Sequence, residues 1–272
     1  ETDVKLAGNI GFPILSIKNI KPKSIFVIEA SSYQLDYSKL FNTKYAAILN
    51  ISPDHLERHK TLRNYISAKF KLINNQKKNS TAFINKKDIY INDRIQKKKY
   101  KSKIIRVNTE LNDGLIKKFN NKYFLSSSNR ENLSFVLEIS KKFKIKKDIL
   151  INVVRKFKGL KYRQQVIFKN KNISIINDSK STSYSSSIEI LKRSNNIYWL
   201  LGGIPKKGDK FNLSKDYFKN IKGYIYGKNY KKFSSDLKNK IKNKRSHNLK
   251  QALDLVFKDI KFDNFIKKTI LF

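Results

Sequence analysis

Two polar side chains with metal-binding chemistry follow apolar runs in the first sixty residues. Glu29 comes directly after the run Ile25–Ile28, and His55 comes shortly after the run Tyr45–Asn50. Compact apolar runs of this length are typical of buried parallel strands, whose carboxyl ends meet at one edge of a sheet. A carboxylate and an imidazole converging there would hold a cation bound to phosphate. The spacing therefore predicts a cation site built from Glu29 and His55.

A lysine lies on the helix that follows the second of these runs. Apolar side chains recur at helical spacing between residues 62 and 73, which places Lys69 on a helix. A single lysine on a helix is usually solvated, so spacing alone gives Lys69 no function.

The elements that would position these residues alternate along the chain. Short β-rich runs at 81–84, 104–107 and 123–125 precede helical patterns at 132–143 and 149–157, the second ending before Gly159. Beyond Gly159, strand patterns at 173–176, 197–201, 224–226 and 269–272 alternate with helical patterns near 187–191, 217, 237 and 249–257. This alternation predicts an α/β fold with parallel sheets and right-handed crossovers. We place the domain boundary at residue 160, giving domains 1–160 and 161–272.

Composition narrows the class of protein. The 272 residues include no cysteine, which excludes disulfides and thiolate chemistry, and no apolar run approaches the roughly 20 residues that span a bilayer. The formal charge of +39 would by itself suggest a nucleic-acid partner. Because the lysines are scattered among Asn and Ile and no recognition motif accompanies them, we expect a solvated surface, no nucleic acid and no membrane.

Several motifs occur in an order that resembles the Mur ligase family, in particular its D-glutamate-adding branch. In the first half they are Gly8–Pro13, Val27–Leu35, Asn50–Arg58 and Tyr65–Lys69. In the second half they are Gly159–Arg163, Asn177–Thr182 and Leu201–Lys206. Each motif alone is weak, but seven in the same order over nearly the whole chain are specific.

The resemblance implies a reaction and its cofactors. ATP would phosphorylate the carboxylate of UDP-N-acetylmuramoyl-L-alanine to an acyl phosphate, and the amino group of D-glutamate would then displace phosphate. Glu29 would bind the Mg²⁺ that bridges the ATP phosphates, and His55 a second Mg²⁺ near the acyl phosphate. Lys69 matches the lysine that the family carbamylates, which turns a cation into an oxygen ligand for that second ion. Catalytic roles are therefore expected for Glu29, His55 and Lys69.

Other matched positions are expected to contact the substrates. The residues expected at the nucleotide sugar are Asn9, Ser31 and, in support, Gln34. Those expected at ATP are Asn129 and Asn132 near the adenine, Arg163 and Lys180 on the phosphates, and Asp178 at the ribose or base. Those expected to hold the two carboxylates of D-glutamate are Thr182 and Lys206, because a dianion needs donors and positive charge.

The chain also departs from the family pattern. Ser128 stands where the family usually has a histidine before the first asparagine, and Tyr162 and Ser183 replace other usual residues. No glycine-rich phosphate loop of the type G-T-x-G-K-[ST] occurs in the 272 residues. The resemblance thus implies a partial central ATP-binding domain with a mostly parallel sheet and a partial Rossmann-like C-terminal domain. We expect this chain alone to have little or no ligase activity.

Alternatives remain at this level. Another Mur ligase or a folylpolyglutamate synthase would share the metal-site logic, although Asn9 and the run Ser31–Leu35 favour the D-glutamate branch. A basic nucleic-acid-binding protein on a degenerate ligase scaffold would bind duplex DNA with steep salt dependence. A pseudoenzyme with only a structural role is disfavoured by Glu29, His55 and Lys69. The leading hypothesis predicts a cytoplasmic monomer.

Overall fold

The computed structural model describes residues 2–111, 113–206 and 208–272. The described chain forms two compact units. The first extends to Leu115 and includes Arg130–Lys147, and the second comprises Ile116–Asn129 and the described residues from Asp148 to Phe272. The predicted boundary at residue 160 stays a prediction.

The first unit begins with a pair of parallel strands. Strand β1 (Val4–Gly8) pairs with β2 (Ile25–Glu29), with Gly8 opposite Glu29, and a short 3₁₀ turn (Ile14–Ser16) lies between them. The range predicted for β2 is confirmed, but its predicted burial is wrong because Val27 is 52% exposed. In the described chain β1 and β2 form a two-stranded sheet with little cover, since only Ala7 among its ten residues is buried.

A three-layer α/β arrangement follows. Strands β3 (Tyr45–Ile48), β4 (Thr81–Asn85) and β5 (Lys103–Val107) form a parallel sheet in the order β3-β4-β5. The helices that lie wholly or partly in the first unit are α1 (Ser32–Tyr37), α2 (Leu56–His59), α3 (Leu62–Asn74), α4 (Ile89–Gln96), α5 (Asp113–Phe119) and α6 (Ser127–Lys142). Because β2 and β3 lie in different sheets, the predicted route by which Glu29 and His55 would meet at one sheet edge is wrong.

Alternating side chains of this sheet cover its two faces. On one face Ala46, Ile48 and Ile84 pack with Phe70 and Ile73 of α3. On the other face the core is formed by Phe83, Val107, Phe135 and Ile139, the last two from α6. The period of two along each strand therefore buries both faces, as expected for a parallel sheet covered by helices.

The second unit contains a six-stranded sheet. Its elements are α7 (Lys147–Lys156), β6 (Gln165–Lys169), β7 (Ile173–Asn177), α8 (Tyr184–Arg193), β8 (Ile197–Leu201), β9 (Ile221–Tyr226), α9 (Tyr230–Leu237), β10 (Lys242–Ser246), α10 (Leu249–Phe262) and β11 (Lys268–Leu271). The strand order is β10-β9-β8-β11-β7-β6, and only the pairing of β6 with β7 is antiparallel. The α/β prediction is confirmed, with β6 as an unpredicted antiparallel edge.

Both faces of this sheet are buried. One face packs Trp199, Ile225 and Leu271 against Leu191 of α8 and Phe233 of α9. The opposite face carries Tyr198, Leu200, Tyr224 and Ile270 against α10. Continuous apolar strands such as β8, buried at all five positions, require cover on both sides.

Two further observations complete the fold. The β-rich run at 123–125 is part of a 3₁₀ helix, Lys122–Leu125, so the strand expectation there is wrong. The side chain of Asn121 accepts a hydrogen bond from the Tyr123 amide and so starts the helix instead. Within the part of the chain that the structure describes, no helix combines the length and apolarity needed to cross a bilayer.

Candidate functional site

The carboxylate of Glu29 is fixed at the end of β2 by Asn9. The Asn9 amide nitrogen donates to the Glu29 carbonyl (2.8 Å), and its side chain Nδ2 donates to Glu29 Oε1 (3.0 Å). Gly8 permits this approach, since its φ is +104° and a Cβ there would lie 2.3 Å from the Glu29 carbonyl oxygen. Asn9 and Glu29, predicted for different ligands, therefore lie together, and the bond uses one of the two carboxylate oxygens.

Ser31 and Gln34 form a reciprocal cap at the start of α1. The Gln34 amide donates to Ser31 Oγ (3.2 Å), and the Ser31 amide donates to Gln34 Oε1 (2.8 Å). This capping box stabilises a helix of only six residues directly after β2. The two residues predicted at the nucleotide sugar thus have a structural role as well, while their substrate role stays a prediction.

His55 occupies a strained position between β3 and α2. Its backbone lies in the left-handed region (φ 53°, ψ 33°), which costs a residue other than glycine energy and is common at functional sites. Its ring has polar neighbours on both nitrogens. Nδ1 lies 3.3 Å from the Tyr33 hydroxyl and 3.5 Å from Glu57 Oε1, and Nε2 lies 3.5 Å from Asp54 Oδ2.

The loop that carries His55 is anchored at its base. Asp88, the cap of α4, accepts from the Ile51 amide (2.7 Å) through one oxygen and from the Ile91 amide (2.9 Å) through the other. Asp54 Oδ1 accepts from the His55 amide (2.9 Å). The loop is therefore held by carboxylates that bond to its backbone, which leaves the His55 ring to contact other groups.

Lys69 lies partly buried on α3 beside two carboxylates. Burial lowers the pKa of Lys69, while the charges of Asp54 and Glu29 act in the opposite direction. Its Nζ lies 5.2 Å from the centre of the Tyr65 ring, and burial together with Asp54 raises the pKa of Tyr65 to about 12. Lys69 thus stands within electrostatic reach of both Glu29 and the Asp54–His55 loop.

Four residues of this cluster were not predicted as site residues: Tyr33, Asp54, Glu57 and His59. His59 is buried, its Nε2 lies 3.0 Å from Ser32 Oγ, and burial lowers its pKa. Its ring packs between those of Tyr33 and Tyr65, with centroid distances of 5.6 Å and 5.4 Å. The sequence signal for Tyr33, Asp54 and Glu57 was their position inside the matched motifs, whereas His59 comes directly after the motif that ends at Arg58. The contacts that Tyr33 makes with Glu57 and His59 join residues more than twenty positions apart.

The donor set suits a hard cation with incomplete protein coordination. Among the described residues, no three His, Cys, Asp or Glu side chains gather as a ready-made metal site. Mg²⁺ usually keeps several waters and takes one or two carboxylates plus substrate phosphates. The anchored Glu29 carboxylate and the His55 ring fit that mode, in which phosphate oxygens supply the remaining ligands.

In the second unit, Asp178 joins two loops that carry predicted ATP contacts. Asp178 Oδ1 accepts from the Gln164 amide (2.9 Å), and Oδ2 accepts from Ser181 Oγ (2.7 Å). Burial raises the pKa of Asp178, against the hydrogen bonds and the nearby Arg163. The Lys180 amide donates to the Tyr162 carbonyl (3.0 Å), so Arg163, Asp178 and Lys180 are brought together.

The two residues predicted at D-glutamate follow strands β7 and β8 of the second unit. Thr182 is exposed just before the Ser183 cap of α8, and Lys206 lies in the loop after β8. Asp209 in that loop accepts from the Tyr184 amide (2.6 Å), which ties the loop to the start of α8. Both residues therefore lie beyond the carboxyl ends of strands, where open α/β sheets bind ligands.

The asparagines predicted near the adenine lie three residues apart on α6. Asn129 is buried and its Nδ2 donates to the Tyr123 carbonyl (2.8 Å), whereas Asn132 is exposed. The Asn129 side chain is thus engaged in capping the 3₁₀ turn, and the adenine role of both residues stays a prediction.

Comparison with known proteins identifies the family. A family model described as the Mur ligase middle domain matches residues 5–152. The chain belongs to the Mur ligase family. It is 36% identical over 287 residues to the UDP-N-acetylmuramoylalanine--D-glutamate ligase of Rickettsia felis, covering 99% of this chain and 63% of that protein. It is 37% identical to the ligase of the same name from Buchnera aphidicola, covering 94% of this chain and 61% of the relative.

Solved structures support the Mur ligase fold over the whole chain. MurF ligase from Thermotoga maritima, solved in complex with ADP, superposes with a TM-score of 0.68 at 15% identity and covers 100% of this chain and 75% of that one. FolC from E. coli, in complex with DHPP and ADP, gives a TM-score of 0.61 at 10% identity and covers 92% and 63%. Identities this low show the fold alone. The chain itself spans less than two thirds of the curated relatives' length.

Proposed function

We propose that this Mur ligase chain contributes to an ATP-dependent ligase that adds D-glutamate to UDP-N-acetylmuramoyl-L-alanine. The observation that carries the proposal is the similarity to relatives bearing that enzyme name along 99% of the chain. The enzyme would form an amide bond in peptidoglycan precursor synthesis, with release of ADP and phosphate. We place the enzyme in the cytoplasm, where ATP and the nucleotide sugar are present. We also propose that it is a monomer.

The residues of the first unit are suited to phosphoryl transfer, which depends on positioning and charge neutralisation. Bound Mg²⁺ would neutralise phosphoryl oxygens and orient the reacting groups. Glu29 would hold one ion, with its carboxylate oriented by Asn9, and His55 would hold the second through a ring nitrogen. Asn9, Ser31 and Gln34 would give neutral hydrogen bonds to the nucleotide sugar near its reacting carboxylate.

The lowered pKa of Lys69 supports its modification. Carbamylation requires the neutral amine, whose nitrogen attacks the carbon of CO₂ and loses one proton to solvent. Burial favours that neutral form, while Asp54 and Glu29 favour the ammonium. The product would be an anionic oxygen ligand for the second ion.

The second unit would supply the nucleotide and amino-acid contacts. Arg163 and Lys180 would bind phosphate oxygens, and Asp178 would orient the ribose or base from its buried position. The side chains expected at the adenine are Asn129 and Asn132. Thr182 and Lys206 would bind the carboxylates of D-glutamate, with a hydroxyl and an ammonium group.

A ligase assay on the protein as the cell makes it tests the function. We expect ATP-dependent formation of the D-glutamyl amide with equimolar ADP, and no product with L-glutamate or with L-alanine as the incoming amino acid. Amide formation with another amino acid in preference to D-glutamate would reassign the enzyme within the family. Absence of any ATP-dependent amide product would overturn the proposal.

The modification has its own readout. In ¹³C NMR with labelled bicarbonate we expect one carbamate signal that disappears in Lys69→Met. Lys71→Met is the matched control, because Lys71 lies on the same helix and bonds to Asp36 instead. A spectrum that lacks the signal throughout the neutral and mildly alkaline range, or keeps it in Lys69→Met, would refute carbamylation at Lys69.

A further inference from the structure

The hydroxyl of Tyr33 lies between a carboxylate and the His55 ring. It donates to Glu57 Oε1 at 3.3 Å and lies 3.3 Å from His55 Nδ1. The Tyr33 ring meets the His55 ring edge to face, with centroids 5.0 Å apart and planes at 76°. The matched run Ser31–Leu35 contains Tyr33, but the proposed function assigns this residue no role.

The donors and acceptors around the His55 ring determine which of its two nitrogens carries the proton. A phenol has one proton, and an ionised carboxylate has none to give. Once the Tyr33 proton is given to Glu57, both groups facing His55 Nδ1 present lone pairs, at 3.3 Å and 3.5 Å. Nδ1 must then carry the proton of a neutral imidazole, which leaves the lone pair on Nε2.

The carboxylate near Nε2 favours the other tautomer, but more weakly. Asp54 Oδ2 lies 3.5 Å from Nε2 and would favour a proton there. Asp54 already accepts from the His55 backbone amide through Oδ1. The hydroxyl and carboxylate oxygens that face Nδ1 therefore outweigh the one carboxylate near Nε2.

We propose that Tyr33, held by Glu57, is a positioning residue that selects the Nδ1–H tautomer of His55 and directs its Nε2 lone pair towards a divalent cation. The cation part rests on the proposed function, whereas the tautomer does not. Histidines that bind metals commonly donate their other ring N–H to an oxygen, which fixes tautomer and ring orientation. Here the oxygens are a phenol from α1 and a carboxylate from α2.

The position of Tyr33 is itself well defined. It follows the Ser31 cap, whose reciprocal bonds with Gln34 set the start of α1 directly after the Glu29 strand end. The same ring packs against buried His59. A shift of α1 would thus move the group that orients His55, which links the strand that carries Glu29 to the second metal ligand.

Nitrogen-15 NMR of the histidine rings tests the tautomer on the full chain. The chain has only three histidines, so each ring can be assigned with a single His→Gln variant. At about pH 8, where an ordinary histidine is neutral, we expect the Nδ1–H pattern for His55. In Tyr33→Phe, which keeps the ring and the fold, we expect the Nε2–H population to rise severalfold.

Tyr37→Phe is the matched control. Tyr37 is the other tyrosine of α1, and its hydroxyl accepts from Arg58 Nη2 at 2.7 Å instead of contacting His55. Its His55 spectrum should equal that of the unmodified chain. An Nε2–H pattern for His55 in the unmodified chain, or equal spectra for Tyr33→Phe and Tyr37→Phe, would overturn the tautomer assignment.

Mn²⁺ binding in the presence of ATP tests the functional half. For the protein as the cell makes it, we expect Tyr33→Phe to weaken Mn²⁺ binding at the second site by roughly tenfold, the usual cost of losing an outer-shell partner. Tyr37→Phe should leave the affinity unchanged. Unchanged affinity in Tyr33→Phe together with a changed tautomer would refute the link to the cation. Failure of the ligase assay with the unmodified protein would instead refute the proposed function.

Discussion

The ammonium group of Lys69 is partly buried, and two nearby carboxylates offset part of the energetic cost of burying its charge. Burial lowers its pKa, and the attraction of Asp54 and Glu29 only partly compensates. In the folded state Lys69 therefore binds fewer protons than in the unfolded chain between its lowered pKa and the ordinary value of about 10.4. Removing this charge should therefore stabilise the fold most at pH values below the lowered pKa of Lys69. The gain should shrink as the pH rises from that pKa to the ordinary value.

Replacing the ammonium group tests this cost directly. In bicarbonate-free buffer, where the Lys69 amine is unmodified, we expect Lys69→Met to raise the free energy of unfolding at neutral pH, because methionine fills similar volume without a charge. The gain should diminish as the pH approaches about 10. Urea titrations at a series of pH values measure it.

Lys71→Met gives a contrast of opposite sign. Lys71 Nζ donates to Asp36 Oδ1 (2.8 Å) and to the Asp36 carbonyl (2.6 Å), so its loss should destabilise the chain by about 1 kcal/mol. If Lys69→Met destabilised the chain as much as Lys71→Met, the burial cost assigned to Lys69 would be wrong.

The candidate site was predictable to the extent that chemistry follows strand ends and motif spacing. Glu29, His55 and Lys69 are residue types that often have a function at strand ends and in matched motifs. The structure places Lys69 near Glu29 and the His55 loop. The hydroxyl of Tyr33 was not predictable, because a tyrosine in a short amphipathic helix is usually a packing residue. Its role depends on a contact made across 22 positions of chain.

At the scale of elements, α2 is a single turn enclosed by two residues with positive φ. His55 precedes it, and Lys60 follows it with φ 68° and ψ −48°. The Thr61 amide donates to the His59 carbonyl at 2.8 Å, which closes a γ-turn with Lys60 at its centre. This conformation is rare and strained for a residue with a Cβ.

Glycine should relieve the strain at the second of these positions. We expect Lys60→Gly to stabilise the chain by about 1 kcal/mol, the net of relieved strain and the added entropy of the unfolded chain. Lys60 is exposed, so its side chain contributes little else. Lys60→Ala, which keeps the Cβ, should give no gain. Denaturant midpoints measure both variants, and a gain equal in the two would contradict the strain argument.

Elements were predictable where apolar periodicity dominates and not where the backbone alone decides. Strand β8 and helix α3 were anticipated within a residue or two because their side chains are buried. Strand β10, with the sequence KNKRS, has no apolar residue, and four of its five residues are exposed at the sheet edge. Only pairing with β9 makes it a strand, and pairing leaves no trace in its composition.

Helix α10 is attached to its sheet by charge as well as by apolar contact. Lys222 Nζ donates to both oxygens of Asp263 (2.7 Å and 2.6 Å), and the Tyr198 hydroxyl donates to the same carboxylate. One helical turn earlier, Asp259 accepts from Tyr224 (2.7 Å) and Lys244 (2.6 Å). Burial alone would raise the pKa of Asp263, but the bonds from Lys222 and Tyr198 outweigh it and the pKa is lowered.

Because its pKa is lowered, Asp263 contributes to the free energy of unfolding in a way that depends on pH. We expect Asp263→Asn to cost about 1–3 kcal/mol at neutral pH. Since the folded pKa lies below that of the unfolded chain, the difference from the unmodified chain should be full above about pH 5 and be lost as the pH falls below about 3.9. Unfolding free energies measured from about pH 6 down to about pH 2 test the sign, because the loss must appear at the acid end of that range.

Asp254→Asn on the same helix is the control for the acid limb. Asp254 is exposed, so this change should stay within about 0.5 kcal/mol at every pH. An Asp263→Asn curve parallel to that of Asp254→Asn would show that the Lys222 contact contributes no pH-dependent stability.

At the scale of the whole molecule, charge is the dominant feature. Sixty Lys and Arg residues face 21 Asp and Glu residues, so most cations cannot find an anionic partner. Asp36 and Asp263 each form an ion pair with a lysine. The excess Lys and Arg side chains repel one another across the surface. This repulsion lowers the stability of the fold at low ionic strength and favours no particular ligand.

The same surplus bears on the nucleic-acid alternative. We expect duplex DNA to be retarded in a gel-shift assay only at low ionic strength and to be released near about 150 mM salt, as for non-specific contacts. Retention at that salt with a preference among sequences would favour a nucleic-acid-binding protein on the ligase scaffold.

Self-repulsion also predicts how salt changes stability. Raising NaCl from about 20 mM to 500 mM shortens the screening length from roughly 20 Å to a few ångströms, which suppresses repulsion between exposed lysines. We expect the midpoint of thermal unfolding to rise by several degrees, equivalent to about 1–2 kcal/mol for a chain of this size. NaCl and Na₂SO₄ compared at equal ionic strength separate screening from salting-out, because only the latter distinguishes the anions. A midpoint that stays constant in NaCl but rises in Na₂SO₄ would mean that the lysines are spaced too far apart to destabilise the fold.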